Sequence, residues 1–496
     1  MRPWRVRIGT ILAILAVLGG AVSAWVAWAH RPVSGGVTVV SLPARSAGLI
    51  VDGQTGRAFI GGPDGRLQVR DSATGALMRS VDLVPFPSTS FLRALAITDG
   101  ARRIVVVTAP RNLAASGTDT LSLLDARSGR VLGRAALPPE LLSDPNTFSP
   151  RTNRVFALSS LPLLSGRIRI TVVDGATGRL VNTVTLREPP SFGPYAFTVD
   201  PRGGDVILTN LALGRISVLD GTSGRVRWTR QIVRPGGSVP VAASTAVVDD
   251  RAGDVYVADL TMGTVGAYDL TSGQARWTAA LAAPGAARLL VSAQTGRVFA
   301  IQRGRAVALD ARSGRTVARI PLASMAPSGG LVQDVNYLHD LSLIVDDRRA
   351  RVLIVDPASK TLHALDGASG RVAYTVALPS DMAREPAAPD RSGEHLIVAT
   401  DQLPGANGSA PTPSVIVLRD SDGAILRRIP VGGRPDEVLL DDRTGRLLML
   451  SASGRVDAAD PWAWMPPLAR RFLPLATPTP RTQPTLSIVE AERGSS

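Results

Sequence analysis

The sequence contains no cysteine among its 496 residues. This absence excludes disulfide bonds, thiolate metal sites, cysteine nucleophiles and a lipidated N-terminal cysteine. Aromatic residues make up only 4% of the chain, whereas glycine (48) and proline (37) are frequent. Such a composition favours many short strands joined by turns over long helices. The hydrophobic fraction of 45% also excludes a disordered chain.

Lysine is almost missing as well, since Lys360 is the only one, and arginine carries the net charge of +14. A basic surface of this kind could contact anionic envelope polymers or lipid headgroups. The simpler interpretation is that a repeat places arginine just after a turn glycine, which spreads the charge around the molecule. These positions are Arg57, Arg130, Arg179, Arg225, Arg297, Arg315 and Arg371.

The N-terminal region contains one long apolar run. Residues 8–29 carry no charge, and as a helix these 22 residues would span about 33 Å, enough to cross a bilayer. Arg2, Arg5 and Arg7 precede the run, so the positive-inside rule predicts a cytoplasmic stub at 1–7 and an extracytoplasmic remainder. The alternative is a signal peptide cleaved after the Ala-Val-Ser-Ala stretch at 21–24, which would release the protein.

Two short patterns alternate along the rest of the chain. The first is an apolar strand, a turn that ends in glycine and a second apolar strand, as at 246–259 (AVVDDRAGDVYVAD), and it occurs nine times if four weaker copies are included. The second has the form strand, Asp-x-x-[Ser/Thr]-Gly, strand, as at 218–229 (VLDGTSGRVRWT), and it occurs eight times, although the last copy has the turn sequence RDSDG instead. Together they repeat roughly every 50 residues, which is a β-propeller blade length.

The geometry of the turn in the second pattern accounts for the residue types found there. The aspartate can accept hydrogen bonds from the next backbone N–H groups, and glycine supplies the positive φ that the hairpin needs. Each repeat therefore predicts four antiparallel strands, and such sheets bury both faces only by stacking in a ring. The turn residues are Asp71, Gly75, Asp125, Gly129, Asp174, Gly178, Asp220, Gly224, Asp269, Gly273, Asp310, Gly314, Asp366 and Gly370.

We therefore predict an all-β chain with one β-propeller over 36–460, preceded by one N-terminal transmembrane helix. A lone strand at 36–43 would complete the last sheet and join the two ends of the ring, and the ninth unit would add a strand near 455–459. We predict eight blades, because most propellers have between about four and eight, and nine blades are the alternative. Residues 461–496 contain proline and threonine without strand alternation, which indicates a flexible tail.

The repeat resembles the YVTN-type propeller repeats of bacterial surface and periplasmic proteins, most closely at 431–451 (VGGRPDEVLLDDRTGRLLMLS). Two units also resemble the A-x-D-x-x-x-G-x-x-x-W motif of pyrroloquinoline-quinone-type propellers. In that family the tryptophan docks one blade on the next, a role that would fall to Trp228 and Trp277. Tyr374 could substitute in a third unit, whereas Gly133, Val181 and Ala318 could not.

The sequence offers few residues for catalysis or metal binding. His339 with Asp334 and Asp340 is the best metal or acid–base candidate, although such a loop is more often structural. No metalloprotease, nucleophile-elbow or P-loop signature occurs. We predict no cofactor, and the outward topology argues against nucleic-acid binding.

The function that we expect is therefore binding. The chain would be a membrane-anchored, extracytoplasmic propeller that serves as a scaffold for a protein or an anionic envelope polymer. Recognition would use insertion loops such as 401–414. The alternative is a propeller enzyme, either a lactonase-like hydrolase or a quinone-dependent dehydrogenase. Many propellers with the quinone-type repeat bind no quinone and act as assembly or scaffold factors, which favours the binding function.

Overall fold

The computed structural model describes most of the repeat region and neither end of the chain. The described residues are 37–42, 47–52, 54–62, 66–83, 90–98, 103–110, 119–137, 146–160, 167–187, 195–232, 244, 246–281, 284–322, 341–356, 359–378, 382–389, 394–400, 414–431, 437–441, 446–451 and 485–490. They form strands and turns, and no helix among them is long and apolar enough to cross a membrane. The predicted transmembrane helix at 8–29 lies outside them.

The strands of the described residues form nine antiparallel four-stranded sheets, which we call blades 1 to 9. The first strands, in chain order, are Ala47–Asp52 (β2), Ser90–Thr98 (β6), Asn146–Ser149 (β10), Tyr195–Val199 (β14), Val247–Asp249 (β18), Arg288–Ser292 (β22), Ser342–Asp346 (β26), Met382–Pro389 (β30) and Glu437–Asp441 (β34). The second strands are Arg57–Gly61 (β3), Arg103–Pro110 (β7), Arg154–Ser160 (β11), Val206–Asn210 (β15), Asp254–Asp259 (β19), Arg297–Gln302 (β23), Arg351–Asp356 (β27), His395–Thr400 (β31) and Arg446–Ser451 (β35).

The third and fourth strands complete each sheet. The third strands are Arg66–Asp71 (β4), Asp119–Asp125 (β8), Arg167–Asp174 (β12), Arg215–Leu219 (β16), Thr264–Asp269 (β20), Arg305–Asp310 (β24), Thr361–Asp366 (β28), Ser414–Arg419 (β32) and Thr485–Glu490 (β36). The fourth strands are Leu77–Asp82 (β5), Val131–Leu137 (β9), Leu180–Arg187 (β13), Val226–Gln231 (β17), Ala275–Ala280 (β21), Thr316–Pro321 (β25), Val372–Ala377 (β29), Ile425–Pro430 (β33) and Val37–Ser41 (β1).

The first strand of each described blade contacts the first strands of the blades before and after it, and β34 contacts β2. These contacts make a closed cycle, as a propeller requires. Hydrophobic clusters lie between neighbouring blades all the way round the described chain. Between blades 5 and 6, for example, Tyr256 and Ala258 pack against Val298 and Ala300. Burial of each large apolar side chain contributes about 1.5–3 kcal/mol, so stacking of the sheets provides the core.

Burial follows from this stacking. Every residue of β15 is buried, because a second strand has a neighbouring blade on both of its faces. Along β13 the exposed and half-buried positions alternate, because a fourth strand lies at the outside of the ring. This difference explains why the sequence shows continuous apolar runs in some strands and period-two alternation in others.

Blade 9 closes the ring with strands from both ends of the chain. Its order is β1, β36, β35, β34, so the lone N-terminal strand completes the last sheet. The third strand comes from the C-terminal tail, where we predicted no strand, whereas residues 455–459 lie outside the described residues. Our preferred number of eight blades is therefore corrected to nine sheets in the described chain, because residues 485–490 complete the sheet that the ninth unit begins.

Candidate functional site

The turn between the third and fourth strands has the same construction in most blades, and blade 5 shows it clearly. The Asp269 Oδ1 atom accepts hydrogen bonds from the Thr271 N–H (3.1 Å), the Ser272 N–H (2.7 Å) and the Ser272 hydroxyl (2.9 Å). Gly273 has a φ of 71°, and its N–H donates to the Asp269 carbonyl at 2.8 Å. The Ser272 N–H and hydroxyl, with Arg276, lower the pKa of Asp269.

The other predicted turn residues have comparable geometry. The serine or threonine three positions after the aspartate donates to it at Asp71, Asp125, Asp174, Asp220, Asp310 and Asp366. The glycines that follow all have positive φ: Gly75, Gly129, Gly178, Gly224, Gly314 and Gly370. Blade 8 keeps the turn with Arg419 in the place of the aspartate, since Gly423 N–H donates to the Arg419 carbonyl.

These turns lie beside the turns between the first and second strands. In blade 1 the Ser72 N–H donates to the Gly56 carbonyl at 3.0 Å, and in blade 5 the Leu270 N–H donates to the Gly253 carbonyl at 2.9 Å. Because loops alternate between the two ends of an antiparallel sheet, both turn sets lie on one face of the ring. We call it the turn face, and the side with the other connections is the opposite face.

Trp228 and Trp277 both contact the turn of the next blade. The Trp228 Nε1 atom donates to the Leu270 carbonyl at 2.9 Å, and the indole lies against Gly273, where an added Cβ would meet Cδ2 at 2.7 Å. Trp277 repeats the arrangement on Ala311 and Gly314. An indole covers a turn of the neighbouring blade only because that turn has glycine at this position.

Other blades place different side chains at the same point. The Tyr374 ring lies against Gly423, at 2.6 Å from the position of an added Cβ. In blade 3 the residue that reaches the next turn is Asn182, whose Nδ2 donates to the Ser223 carbonyl at 2.8 Å, and not Val181. The motif places this residue four positions after the turn glycine, which is Asn182, so our assignment of Val181 to this position was wrong by one residue.

A second set of contacts between blades uses the first residue of the second strand. Arg57 donates to the Ala126 carbonyl (3.3 Å) and Arg297 to the Ala368 carbonyl (3.1 Å), both in the next blade. The ring junction has the same contact, since Arg446 donates to the Ala73 carbonyl. The junction also has a buried hydrogen bond from the Ser72 hydroxyl to Asp441 at 2.7 Å, which joins residues 369 positions apart.

Blades 4 and 5 reverse this charge pattern. Aspartates replace the arginine at the start of the second strand, and an arginine of the fourth strand bridges two carboxylates. Arg276 contacts Asp254 and Asp269, each at 2.6 Å. In blade 4, Arg227 likewise contacts Asp205, which directly precedes the second strand, at 3.0 Å and the turn aspartate Asp220 at 2.8 Å. Burial raises the pKa of Asp254 to about 6, although Arg276 opposes this shift. The repeat shows these aspartates, but sequence periodicity alone does not show that Arg227 and Arg276 contact them.

The outer edge of the turn face has a composition of its own. We define the rim as the three residues that follow the turn glycine in blades 1 to 8, namely 76–78, 130–132, 179–181, 225–227, 274–276, 315–317, 371–373 and 424–426. It contains seven arginines and no acidic residue. It also holds exposed aliphatic side chains, among them Leu180 (60%) and Leu77 (53%). The rim could therefore bind an anionic, partly apolar surface.

The candidate metal residues Asp334, His339 and Asp340 lie outside the described residues. Within the described part of the chain, no group of three or more His, Asp or Glu side chains is placed to hold a metal ion. The buried histidine His363 has a structural environment, since its ring nitrogens lie 3.1 Å from the Thr361 hydroxyl and 3.0 Å from the Thr375 hydroxyl. Burial lowers the pKa of His363.

The ring of four-stranded sheets and the glycine–tryptophan contacts define this protein as a β-propeller of repeated blades. The family model described as outer membrane protein assembly factor BamB matches residues 63–261 and again residues 261–460. The match covers well over half of the chain, and the chain therefore belongs to this family. The resemblance to quinone-type repeats is thereby supported, whereas the resemblance to YVTN repeats stays a prediction. No curated protein matches the chain at a significant level.

Many solved structures share the fold. BamB from Moraxella catarrhalis is 17% identical, covers 74% of this chain and 96% of its own, and has a TM-score of 0.44. The dihydro-heme d1 dehydrogenase NirN in complex with DHE is 12% identical, with 79% and 78% covered and a TM-score of 0.46. A eukaryotic initiation factor is 9% identical, with 79% and 89% covered and a TM-score of 0.52. At this identity the last likeness shows the fold alone.

Proposed function

We propose that this chain is a membrane-anchored, extracytoplasmic propeller that binds a protein or an anionic envelope polymer and acts as a scaffold. The observation that carries the proposal is the match of the BamB family model over 63–460, because that family is described as an assembly factor. A propeller scaffold needs a rigid ring and an accessible face. The clusters between blades and the bonded turns supply the rigidity.

The apolar run at 8–29, preceded by three arginines, supports an anchor with its N-terminus inside the cell. The first strand of the ring begins at Val37, so only residues 30–36 separate the run from the ring. Seven extended residues reach about 25 Å at most. The propeller would therefore remain close to the membrane that holds the anchor.

Recognition of the partner would use the opposite face. The connections there vary most in length, as between β25 and β26 and between β31 and β32. Loops of variable length on a rigid scaffold are the usual place for binding specificity. Met262, in the described connection between β19 and β20, is 65% exposed on that face.

Site-specific photo-crosslinking in living bacteria tests this function. A photoreactive residue replaces Met262 on the opposite face, and in a control it replaces Thr183, an exposed position on the outer strand β13. We expect a discrete adduct from position 262 and none from position 183. Equal adducts from both positions, or none from either, would contradict the scaffold function. Stoichiometric quinone in native mass spectra of the full chain would instead indicate an enzyme.

A further inference from the structure

The rim concentrates the exposed apolar side chains of the protein. Among the described residues, eight large hydrophobic side chains are exposed, and seven of them lie on the rim. These seven are Leu77, Met78, Leu180, Val181, Val372, Ile425 and Leu426. Each follows a turn glycine by two or three positions, so each lies at the end of an outer strand on the turn face. Exposed apolar groups gathered at one edge indicate contact with another surface.

The same rim carries a set of exposed arginine side chains. Arg130, Arg179, Arg225, Arg315 and Arg371 directly follow turn glycines and are exposed. No hydrogen bond or ion pair of their side chains occurs within the described part of the chain. The turn aspartates beside them are engaged by their own turns, as the Ser128 N–H and hydroxyl bind Asp125 at 2.6 and 2.7 Å. The rim thus presents free guanidinium groups among aliphatic side chains.

The N-terminal strand enters the ring on this same face. In blade 9, Val37 pairs with Val489, and Glu490 pairs with Arg446. Arg446 begins a second strand, and second strands begin at the turn face. Val37 therefore lies at the turn-face end of β1, and β1 runs from there towards the opposite face. An anchor at 8–29 would tether the propeller by the turn face.

We propose that the turn-face rim docks on the anionic phospholipid headgroups of the membrane that carries the anchor. This inference rests on the membrane anchor of the proposed function, but its evidence is the described rim. Arginines bind the phosphates of an anionic leaflet, and adjacent aliphatic side chains enter the boundary between headgroups and acyl chains. The geometry leaves the opposite face pointing away from the membrane, towards a soluble partner.

The docked orientation is measurable because the chain has no native cysteine. Thr222→Cys places a fluorescent label on the turn face, and Met262→Cys places one on the opposite face, since both residues are exposed. The full chain is reconstituted in nanodiscs of phosphatidylcholine alone or with phosphatidylglycerol. With phosphatidylglycerol, we expect the label at 222 to be shielded from a water-soluble quencher and the label at 262 to stay accessible.

Two triple variants with equal charge loss separate docking from net charge. Arg130→Gln, Arg179→Gln and Arg225→Gln together remove rim arginines of three neighbouring blades. The control variant removes three exposed arginines of the outer strands away from the turns, Arg134, Arg187 and Arg319. Each arginine near an anionic surface strengthens binding about fivefold. Loss of three of them in the rim variant should therefore lower the ratio of docked to undocked protein about 100-fold. The control should change it less than tenfold, since the interaction decays within about 10 Å at 0.1 M salt.

The outcomes distinguish the two proposals. Equal quenching of both labels in phosphatidylglycerol nanodiscs, with the chain still held in the disc, overturns rim docking and leaves the anchor intact. Equal loss in the two triple variants also overturns it, because net charge would then be the cause. A chain that does not stay in the disc contradicts the anchor. The rim is in that case tested by co-sedimentation of the full chain with phosphatidylglycerol vesicles, where loss of binding in the rim variant alone supports docking.

Discussion

Replacement of Gly273 by alanine should reveal how much the contact between blades 4 and 5 contributes to stability. The new Cβ would lie 2.7 Å from the Trp228 ring, in a residue whose φ is 71°. Gly253→Ala is a matched change in the same blade, because its φ is 67° and no atom lies within 4 Å of the new Cβ. The left-handed backbone costs about 1–2 kcal/mol in both variants. Alanine also lowers the conformational entropy of the unfolded chain, which offsets about 0.4–1 kcal/mol of this destabilisation in each variant.

Gly253→Ala should therefore destabilise the protein by about 1 kcal/mol. Gly273→Ala adds an overpacking cost of about 1–3 kcal/mol, because an indole that also bonds the Leu270 carbonyl cannot move freely. Gly273→Ala should therefore destabilise the protein by about 3 kcal/mol in total. Trp228→Leu, combined with Gly273→Ala, should remove most of this extra cost, with a coupling energy of about 1–2 kcal/mol.

The assay combines unfolding midpoints in denaturant with hydrogen exchange of the 264–280 segment, since a large repeat protein need not unfold in one step. The midpoints rank the variants, and exchange shows whether the blade 5 turn opens locally. Equal losses in Gly253→Ala and Gly273→Ala, or no coupling to Trp228→Leu, would refute the role of the glycine–tryptophan contact in docking the blades.

Two further predictions concern Asp254 and Tyr374. Because burial raises the folded-state pKa of Asp254 to about 6, its contribution to stability declines as the pH rises from about 4 to about 6. Asp254→Asn should flatten the pH dependence of the unfolding midpoint in this window, and an unchanged profile would contradict the shift. Tyr374→Phe should lower the free energy of unfolding by about 1 kcal/mol or less. The ring that covers Gly423 is kept, and only a long hydrogen bond of 3.4 Å to Asp420 is lost. Tyr374→Ala should cost about 2 kcal/mol in the same assay, and equal losses would assign the stability to the hydroxyl.

Much of the fold could be predicted from the sequence, because each repeat contains residues that are typical of a particular turn or strand. The Asp-x-x-[Ser/Thr]-Gly turns and the apolar runs predict the hairpins, and the two tryptophans predict where blades meet. The lone N-terminal strand also pairs with the last sheet as expected. The third strand of that sheet could not be found this way, because Thr485–Glu490 lies far from its unit and has no turn to mark it.

The candidate site was less accessible to sequence reasoning. Arginines after turn glycines are visible in the repeat, but spacing alone suggests that they are spread evenly. The structure shows that they share an edge with exposed aliphatic residues such as Leu180 and Ile425, which a sequence pattern assigns to ordinary strands. The sequence shows Asp205 and Asp254 in place of arginine, but it does not show which arginine of the fourth strand contacts each of them.

Closure of the ring by β1 and β36 is the claim on which both the fold and the assignment of the membrane-facing side depend. Disulfide trapping tests it directly in this cysteine-free chain, with the register partners Val39→Cys and Ser487→Cys, or Thr38→Cys and Ile488→Cys. We predict that oxidation links at least one of these pairs, whereas the off-register pair Val39→Cys and Ile488→Cys stays reduced. Failure of both register pairs, or equal linking of the off-register pair, would contradict the closed ring.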